Sequence, residues 1–185
     1  RHRLVYLDEA HIHQDAGLGY GWSARGQRFW IGSHSPRLAD KLSFYGLYLY
    51  NAGEVRLWPY ARANAEHTID VLQRLRAEWP NQPLILLWEG APYHRAKAVR
   101  EAATALQIDL VPLPSYSPDF MPVEALWRWP REDVTYHPCH RTAEDLSRRV
   151  AAFETRLNRD PYPIADRLWV KDRLDAEEEK LRFSS

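Results

Sequence analysis

From residue 64 onward the chain alternates between two periodicities, and this alternation constrains the fold more than any other feature of the 185-residue sequence. Over residues 64–80, Ile69, Leu72, Leu75 and Trp79 recur at spacings of three and four, with Asn64 placed as a cap and Pro80 beyond the end. That spacing predicts a helix of about four turns. "PLILLWE" then reads as a buried strand, "HRAKAVREAATALQ" as a helix with Ala98, Ala102, Ala105 and Leu106 on one side, and "DLVPLP" as a further short strand. Ahead of them, the apolar run "LVYL" ends on Asp8 and Glu9 and predicts a first strand that delivers Asp8 at its carboxyl end. "KLSFYGLYLY", "NAG" and "EVRLWPY" read as an antiparallel hairpin. An early hairpin followed by alternating helices and strands implies an α/β fold, a mixed five-stranded sheet flanked by helices, with the first, fourth and fifth strands parallel.

The remaining segments are punctuated by breakers. Gly17, Gly19, Gly21 and Gly26 mark a long loop, "RFWIG" a brief extended piece, and "SYSPDFMP" a proline-rich connection. "VEALWRW" starts a helix that Pro130 must kink or end. In "TAEDLSRRVAAFETRLNRDP", Thr142 can cap a helix whose apolar stripe is Leu146, Val150, Phe153 and Leu157. The organisation expected is one domain over residues 1–160 and a charged tail over 161–185, helical or frayed. A composition 45% hydrophobic and 27% charged is enough for one continuous core. Lys plus Arg equals Asp plus Glu, 25 each, so a polyanion-binding surface has to be local. The single cysteine, Cys139, excludes an internal disulfide, and no apolar run approaches the roughly 20 residues that span a bilayer. A cytoplasmic, nucleoid-associated setting is expected. The start at Arg1 without a methionine suggests a piece of a longer polypeptide.

In such a sheet ligands sit at the carboxyl ends of the parallel strands, and Asp8 and Glu89 both lie at such ends. Asp8 ends the first strand, Glu89 ends the fourth, and Glu124 opens the helix after the fifth. Neighbouring strands lie about 5 Å apart, so the three can converge on one edge. Converging carboxylates repel unless a cation neutralises them, and an all-oxygen set suits Mg²⁺ or Mn²⁺. Two such ions would activate a nucleophile and stabilise the leaving oxygen of a phosphodiester. Taken singly, each acid also reads as a cap or a solvated strand end.

"YLDEAHIH", "GYGWSARGQ", "LLWEGAPYHRAKAVR" and "LPSYSPDFMPVEALWR" together resemble the catalytic core of a DDE transposase of the bacterial insertion-sequence branch related to the mariner elements, over about residues 3–160. Asp8 and Glu9 match that family's first acidic pair. Glu89, Gly90, Ala91 and His94 occupy its second motif, and Tyr116, Ser117, Pro118, Met121, Pro122, Val123 and Glu124 its third. Between Glu89 and Glu124 lie 34 residues, a spacing similar to the superfamily's. The resemblance implies a ribonuclease H-like fold, two Mg²⁺ or Mn²⁺ ions on Asp8, Glu89 and Glu124, and cleavage and strand transfer at transposon ends. It also implies DNA and a second protomer as partners, and an amino-terminal DNA-reading region upstream of the first strand. Without that region DNA binding is expected to be weak and strongly salt-dependent. Glu89 stands where the family usually has aspartate, and one methylene moves a carboxylate by about 1 Å, which in a preorganised site lowers the rate about 100-fold. Met121 replaces the family's usual asparagine, and Pro130 interrupts its last catalytic helix.

Other residues admit two readings each. His94 either binds a phosphate or orients a carboxylate, or else is a polar residue opening the next helix. Arg95, Lys97 and Arg100 after Glu89, with Arg128 and Arg131 after Glu124, either neutralise DNA phosphates or form a solvated face. Trp22 and Arg25, in a loop similar to one that faces DNA or the other protomer in the family, are contacts or, for Trp22, a packed anchor. Trp127 and Trp129 read as core. His11, His13, His137, Cys139 and His140 match no structural-zinc spacing. The function expected is a transposase catalytic domain. The alternatives are a catalytically inactive DNA- or protein-binding module of the same fold and a two-carboxylate glycosidase.

Overall fold

Strand β1 (Arg3–His13) occupies the middle of the sheet. It pairs antiparallel with β2 (Lys41–Leu49) from Val5↔Leu49 to His13↔Lys41, and parallel with β4 (Leu84–Trp88) only from Arg3↔Leu84 to Leu7↔Trp88. β3 (Glu54–Tyr60) completes the hairpin at one edge, and β5 (Ile108–Pro112) lies parallel to β4 at the other, giving the order β3-β2-β1-β4-β5. The structure is a computed structural model that describes residues 2–15, 23–28, 41–114, 120–130, 134 and 139–168. The mixed sheet with parallel first, fourth and fifth strands is the one the periodicities predict. β1 differs in length. Its antiparallel partner continues past Leu7 where its parallel partner stops, so Asp8 marks the end of the parallel pairing and not the end of the strand.

Helices cover both faces. α1 (Ala65–Glu78) and α2 (Lys97–Ala105) pack on one side with Val5, Leu7, Tyr45, Leu47, Leu84, Leu86 and Trp88. On the other side, Tyr6, Ile12, Phe44 and Tyr48 meet α3 (Val123–Leu126), α4 (Arg128–Pro130), α5 (Ala143–Leu157) and α6 (Pro161–Arg167). Odd and even residues of β1 thus enter separate cores, as the two-residue period of a strand requires.

The caps fall where the sequence places them. Asn64 Oδ1 accepts from the His67 amide at 2.8 Å and Thr142 Oγ1 from the Asp145 amide at 3.1 Å, each satisfying a donor that has no intrahelical partner. The predicted stripe of α5 is buried at Leu146, Val150, Phe153 and Leu157. The same helix closes the β3 edge: Glu154 Oε2 accepts from the Leu57 amide at 2.7 Å, and Asn158 exchanges two hydrogen bonds with Val55, each 2.8 Å. Edge groups that would otherwise be open to another strand are thereby occupied.

Four local expectations change. α2 starts at Lys97 because Ala96 is extended (φ −58°, ψ 138°), which leaves His94 in a 3₁₀ turn, Pro92–Arg95, and not at the helix start. Val99 and Ala103 form its buried face, while Ala98 and Ala105 are exposed; the largest apolar side chain sets which face turns inward. The helix after Glu124 is divided at Trp127 into α3 and α4, with Pro130 closing α4. Beyond residue 160, α6 adds Ile164 and Leu168 to the core. "RFWIG" after Arg28, Gly17, Gly19, Gly21 and the tail beyond residue 168 lie outside the described residues. Among the described residues no helix is long and apolar enough to cross a membrane.

Candidate active site

The last parallel pair, Leu7↔Trp88, leaves Asp8 and Glu89 as the next residues on neighbouring strands. Glu124 lies in the first turn of α3, where its amide donates to the Met121 carbonyl at 3.1 Å. Asp8, Glu89 and Glu124 line one open cleft of about 810 Å³, together with Glu9, Tyr93 and His94. Met121, which replaces a polar residue of the resembled motif, is fully buried in the core on the α3–α6 side. It anchors the start of α3 by packing.

Alternation along β1 separates the adjacent acids. Asp8 shares the face of Tyr6 and Ile12, and its Oδ2 accepts a 2.8 Å hydrogen bond from Trp127 Nε1. Burial pushes the Asp8 carboxyl up to about 6; the Trp127 bond opposes this, and the charges of Glu9 and Glu124 reinforce it. Glu9 faces the α1–α2 side, where its Oε1 meets His94 Nε2 at 2.7 Å. His94 Nδ1 reaches the Glu89 carbonyl at 2.6 Å, and its ring stacks on Trp88 with centroids 4.2 Å apart. Tyr93 also bonds Glu9, and burial, followed by the Glu9 charge, raises its hydroxyl well above the usual tyrosine range.

This geometry sorts the residues singled out in the sequence. His94 is 4% exposed and lines the cleft, and its two nitrogens tie Glu9 to the backbone of Glu89, the carboxylate-orienting one of its two readings. Arg95 is exposed and donates to the Gly90 carbonyl at 2.9 Å; Lys97 is exposed and pairs with Glu101 at 3.5 Å; Arg128 is exposed on α4. Arg25 is exposed in a turn closed by the Gln27 amide on the Ala24 carbonyl, with Gly26 at φ +86°. A glycine supplies that left-handed conformation without a Cβ clash. Trp22 and the Tyr116, Ser117 and Pro118 of the third motif lie outside the described residues. The histidine-rich set does not gather: Cys139 Sγ bonds Asp15, His140 the Val134 carbonyl and His11 the Ser43 hydroxyl, while His137 lies outside the described residues.

Among the described residues no three His, Cys, Asp or Glu side chains are gathered closely enough to hold a metal ion as they stand. Asp8 Oδ2 is bonded to Trp127 Nε1, and like charges on neighbouring carboxylates repel. The donor chemistry nevertheless fits a hard divalent cation, because all three side chains supply only oxygen and open into one cleft. The sequence reading of Glu9 as part of an acidic pair and of Trp127 as core does not reach the contacts they make here, and it assigns Tyr93 no role. The signals available were the Asp8–Glu9 doublet and a glycine, Gly46, inside the aromatic run of β2.

A family model described as DDE superfamily endonuclease matches residues 3–147. No curated protein matches the chain in sequence. Among solved structures, the mariner Mos1 paired-end complex with Mg is similar over 98% of this chain and 53% of its own, with a TM-score of 0.68 at 20% identity. The Mos1 transposase paired-end complex with the left transposon end gives 0.64 at 19% identity, over 98% and 51%. The catalytic domain of Mos1 mariner transposase gives 0.56 at 16% identity, over 98% and 81%. The chain thus spans about half the length of the transposase chains in the paired-end complexes, and these likenesses establish a shared ribonuclease H-like fold. With its family model matched from the first strand into α5, the chain belongs to the DDE superfamily of endonucleases.

Proposed function

We propose that this chain is the catalytic domain of a transposase that hydrolyses phosphodiesters at transposon ends and then directs the freed 3′-hydroxyl onto target DNA. The observation that carries the reading is the meeting of Asp8, Glu89 and Glu124, from three separate elements, in one open cleft at the carboxyl ends of the parallel strands. On this reading the three hold two divalent ions, Mg²⁺ or Mn²⁺, which when bound supply Lewis-acid activation of the attacking oxygen and charge stabilisation of the leaving one. The chain's own residues do the positioning. Glu9 and His94 fix the backbone at Glu89, so that its longer side chain starts from a rigid point. Arg95, Lys97 and Arg128, all exposed, take DNA phosphates, while Arg25 and Trp22 meet DNA or the second protomer of a homodimer. The domain, with α6 packed into its core, acts with an amino-terminal DNA-reading region, in a bacterial nucleoid setting.

The test is Mn²⁺-dependent nicking, by the full-length chain, of DNA carrying terminal inverted repeats. Nicking by the natural sequence that disappears in Asp8→Asn, Glu89→Gln and Glu124→Gln supports the reading. A second reading, an inactive DNA- or protein-binding module of the same fold, draws on the separation of the three acids in the cleft and on Glu89 in place of aspartate. It prevails if the natural sequence does not nick DNA and Glu89→Asp does.

A further inference from the structure

We propose that Trp127 is the positioning residue of Asp8 and that Gly46 exists to seat it. This rests on the reading of Asp8 as an ion ligand. β2 is a run of large buried side chains, Phe44, Tyr45, Leu47 and Tyr48, interrupted once by Gly46. A glycine inside a strand weakens it through backbone entropy and lost packing, so its presence calls for a close approach from another group. That group is Trp127. A Cβ added at Gly46 would lie 2.6 Å from Trp127 Cζ2 and 2.7 Å from Cη2, distances that side-chain carbons do not tolerate. Gly46 is also the residue directly opposite Asp8 in the β1–β2 register. The indole therefore lies across the two central strands at the level of the first acid, and Nε1 reaches Asp8 Oδ2 at 2.8 Å.

The connection runs through the helix of the third acid. Trp127 follows α3, three residues after Glu124, so the segment that carries one carboxylate also brings the donor that holds another. The indole bond to Oδ2, with a further bond from the Glu9 amide, fixes the orientation of the Asp8 carboxylate. A buried indole N–H needs an acceptor, and here the acceptor is the first acid itself, reached across a glycine that gives the ring room.

The experiment uses the full-length chain, with melting temperature read without metal and Mn²⁺ affinity read by titration calorimetry. Trp127→Phe keeps an aromatic ring and removes the N–H. It is expected to weaken Mn²⁺ binding about tenfold. Leu126→Ala, which loosens the same helix from the core, is expected to lower the melting temperature at least as far with a smaller change in Mn²⁺ affinity. Gly46→Ala should weaken Mn²⁺ binding when Trp127 is present and do little beside Trp127→Phe, whose shorter ring lacks Cζ2 and Cη2. Equal Mn²⁺ affinity in Trp127→Phe and the natural sequence overturns the proposal, as does equal harm from Gly46→Ala in both backgrounds. If the natural sequence binds no Mn²⁺, the ion reading of the cleft fails by itself. The melting temperatures of Trp127→Phe, Asp8→Ala and their double variant then decide the remainder: non-additive shifts keep Trp127 as the holder of Asp8, and additive shifts remove it.

Discussion

Asp8 and Glu9 are consecutive carboxylates on the central strand, and the pleat sends them to opposite faces of the sheet. Asp8 looks toward α3, accepts one hydrogen bond from a neutral indole and carries a carboxyl pushed up to about 6 by burial. Glu9 looks toward the 3₁₀ turn and meets an imidazole at 2.7 Å, with Tyr93 as a further partner. Glu9 meets an imidazole supplied by the chain, whereas among the described residues no cationic side chain pairs with Asp8. Strained carboxylates of this kind concentrate where a protein binds cations or does chemistry, while compensated ones hold structure together. On the proposed function, the doublet divides between an ion ligand and a support.

The largest effect expected is on Asp8 itself. Asp8→Asn should lower DNA nicking by about 10⁴-fold in the Mn²⁺ assay, the scale typical of removing a member of a catalytic set. An unchanged rate would remove Asp8 from the chemistry and dissolve the contrast. Next is Glu9→Ala, which leaves His94 buried without its carboxylate. Breaking a buried pair from one side costs about 3 kcal/mol, to be read from urea unfolding at neutral pH. A loss below about 1 kcal/mol would mean that Glu9 supports nothing.

The pH dependence sharpens the comparison further. A carboxyl whose pKa is raised on folding binds its proton more tightly in the native state, so its contribution to stability is fully present below about 3.8 and is lost as pH rises through about 6. Above that pH, metal-free Asp8→Asn should be more stable than the natural sequence by about 1–3 kcal/mol, and the gap should close as the pH falls through that window. Chemical denaturation in a chelator at pH 4 and pH 8 measures it. Divalent metal should stabilise the natural sequence and leave Asp8→Asn nearly unaffected. The smallest effect belongs to Lys97→Ala. Its exposed pair with Glu101 predicts a stability change within about 0.5 kcal/mol. If Lys97 meets a DNA phosphate, the slope of log affinity against log salt falls by about one.

Much of the architecture is legible one segment at a time. The caps Asn64 and Thr142, the stripe of α5 and the hairpin of β2 and β3 follow from spacing and turn chemistry, because caps and amphipathic periods are properties of a few consecutive residues. The start of α2 was not legible, because the extended Ala96 that delays it is held by the turn after Glu89. The site divides along the same line. Asp8, Glu89 and Glu124 stand out in sequence because each follows or opens a recognisable element. His94 and Trp127 were ambiguous because their roles depend on partners 85 and 119 residues away.

What the sequence by itself determined was the order and type of the elements, the two-residue alternation that must split Asp8 from Glu9, and the placing of one acid on the first strand, one after the fourth and one at the start of the following helix. Only the tertiary structure decided which face each acid received, that His94 ties Glu9 to Glu89, and that an indole crosses β2 at Gly46 to hold Asp8. Periodicity is written locally, within a turn or a pleat. The partner of a buried polar group is chosen by strand register and helix docking, which join residues that the sequence keeps far apart.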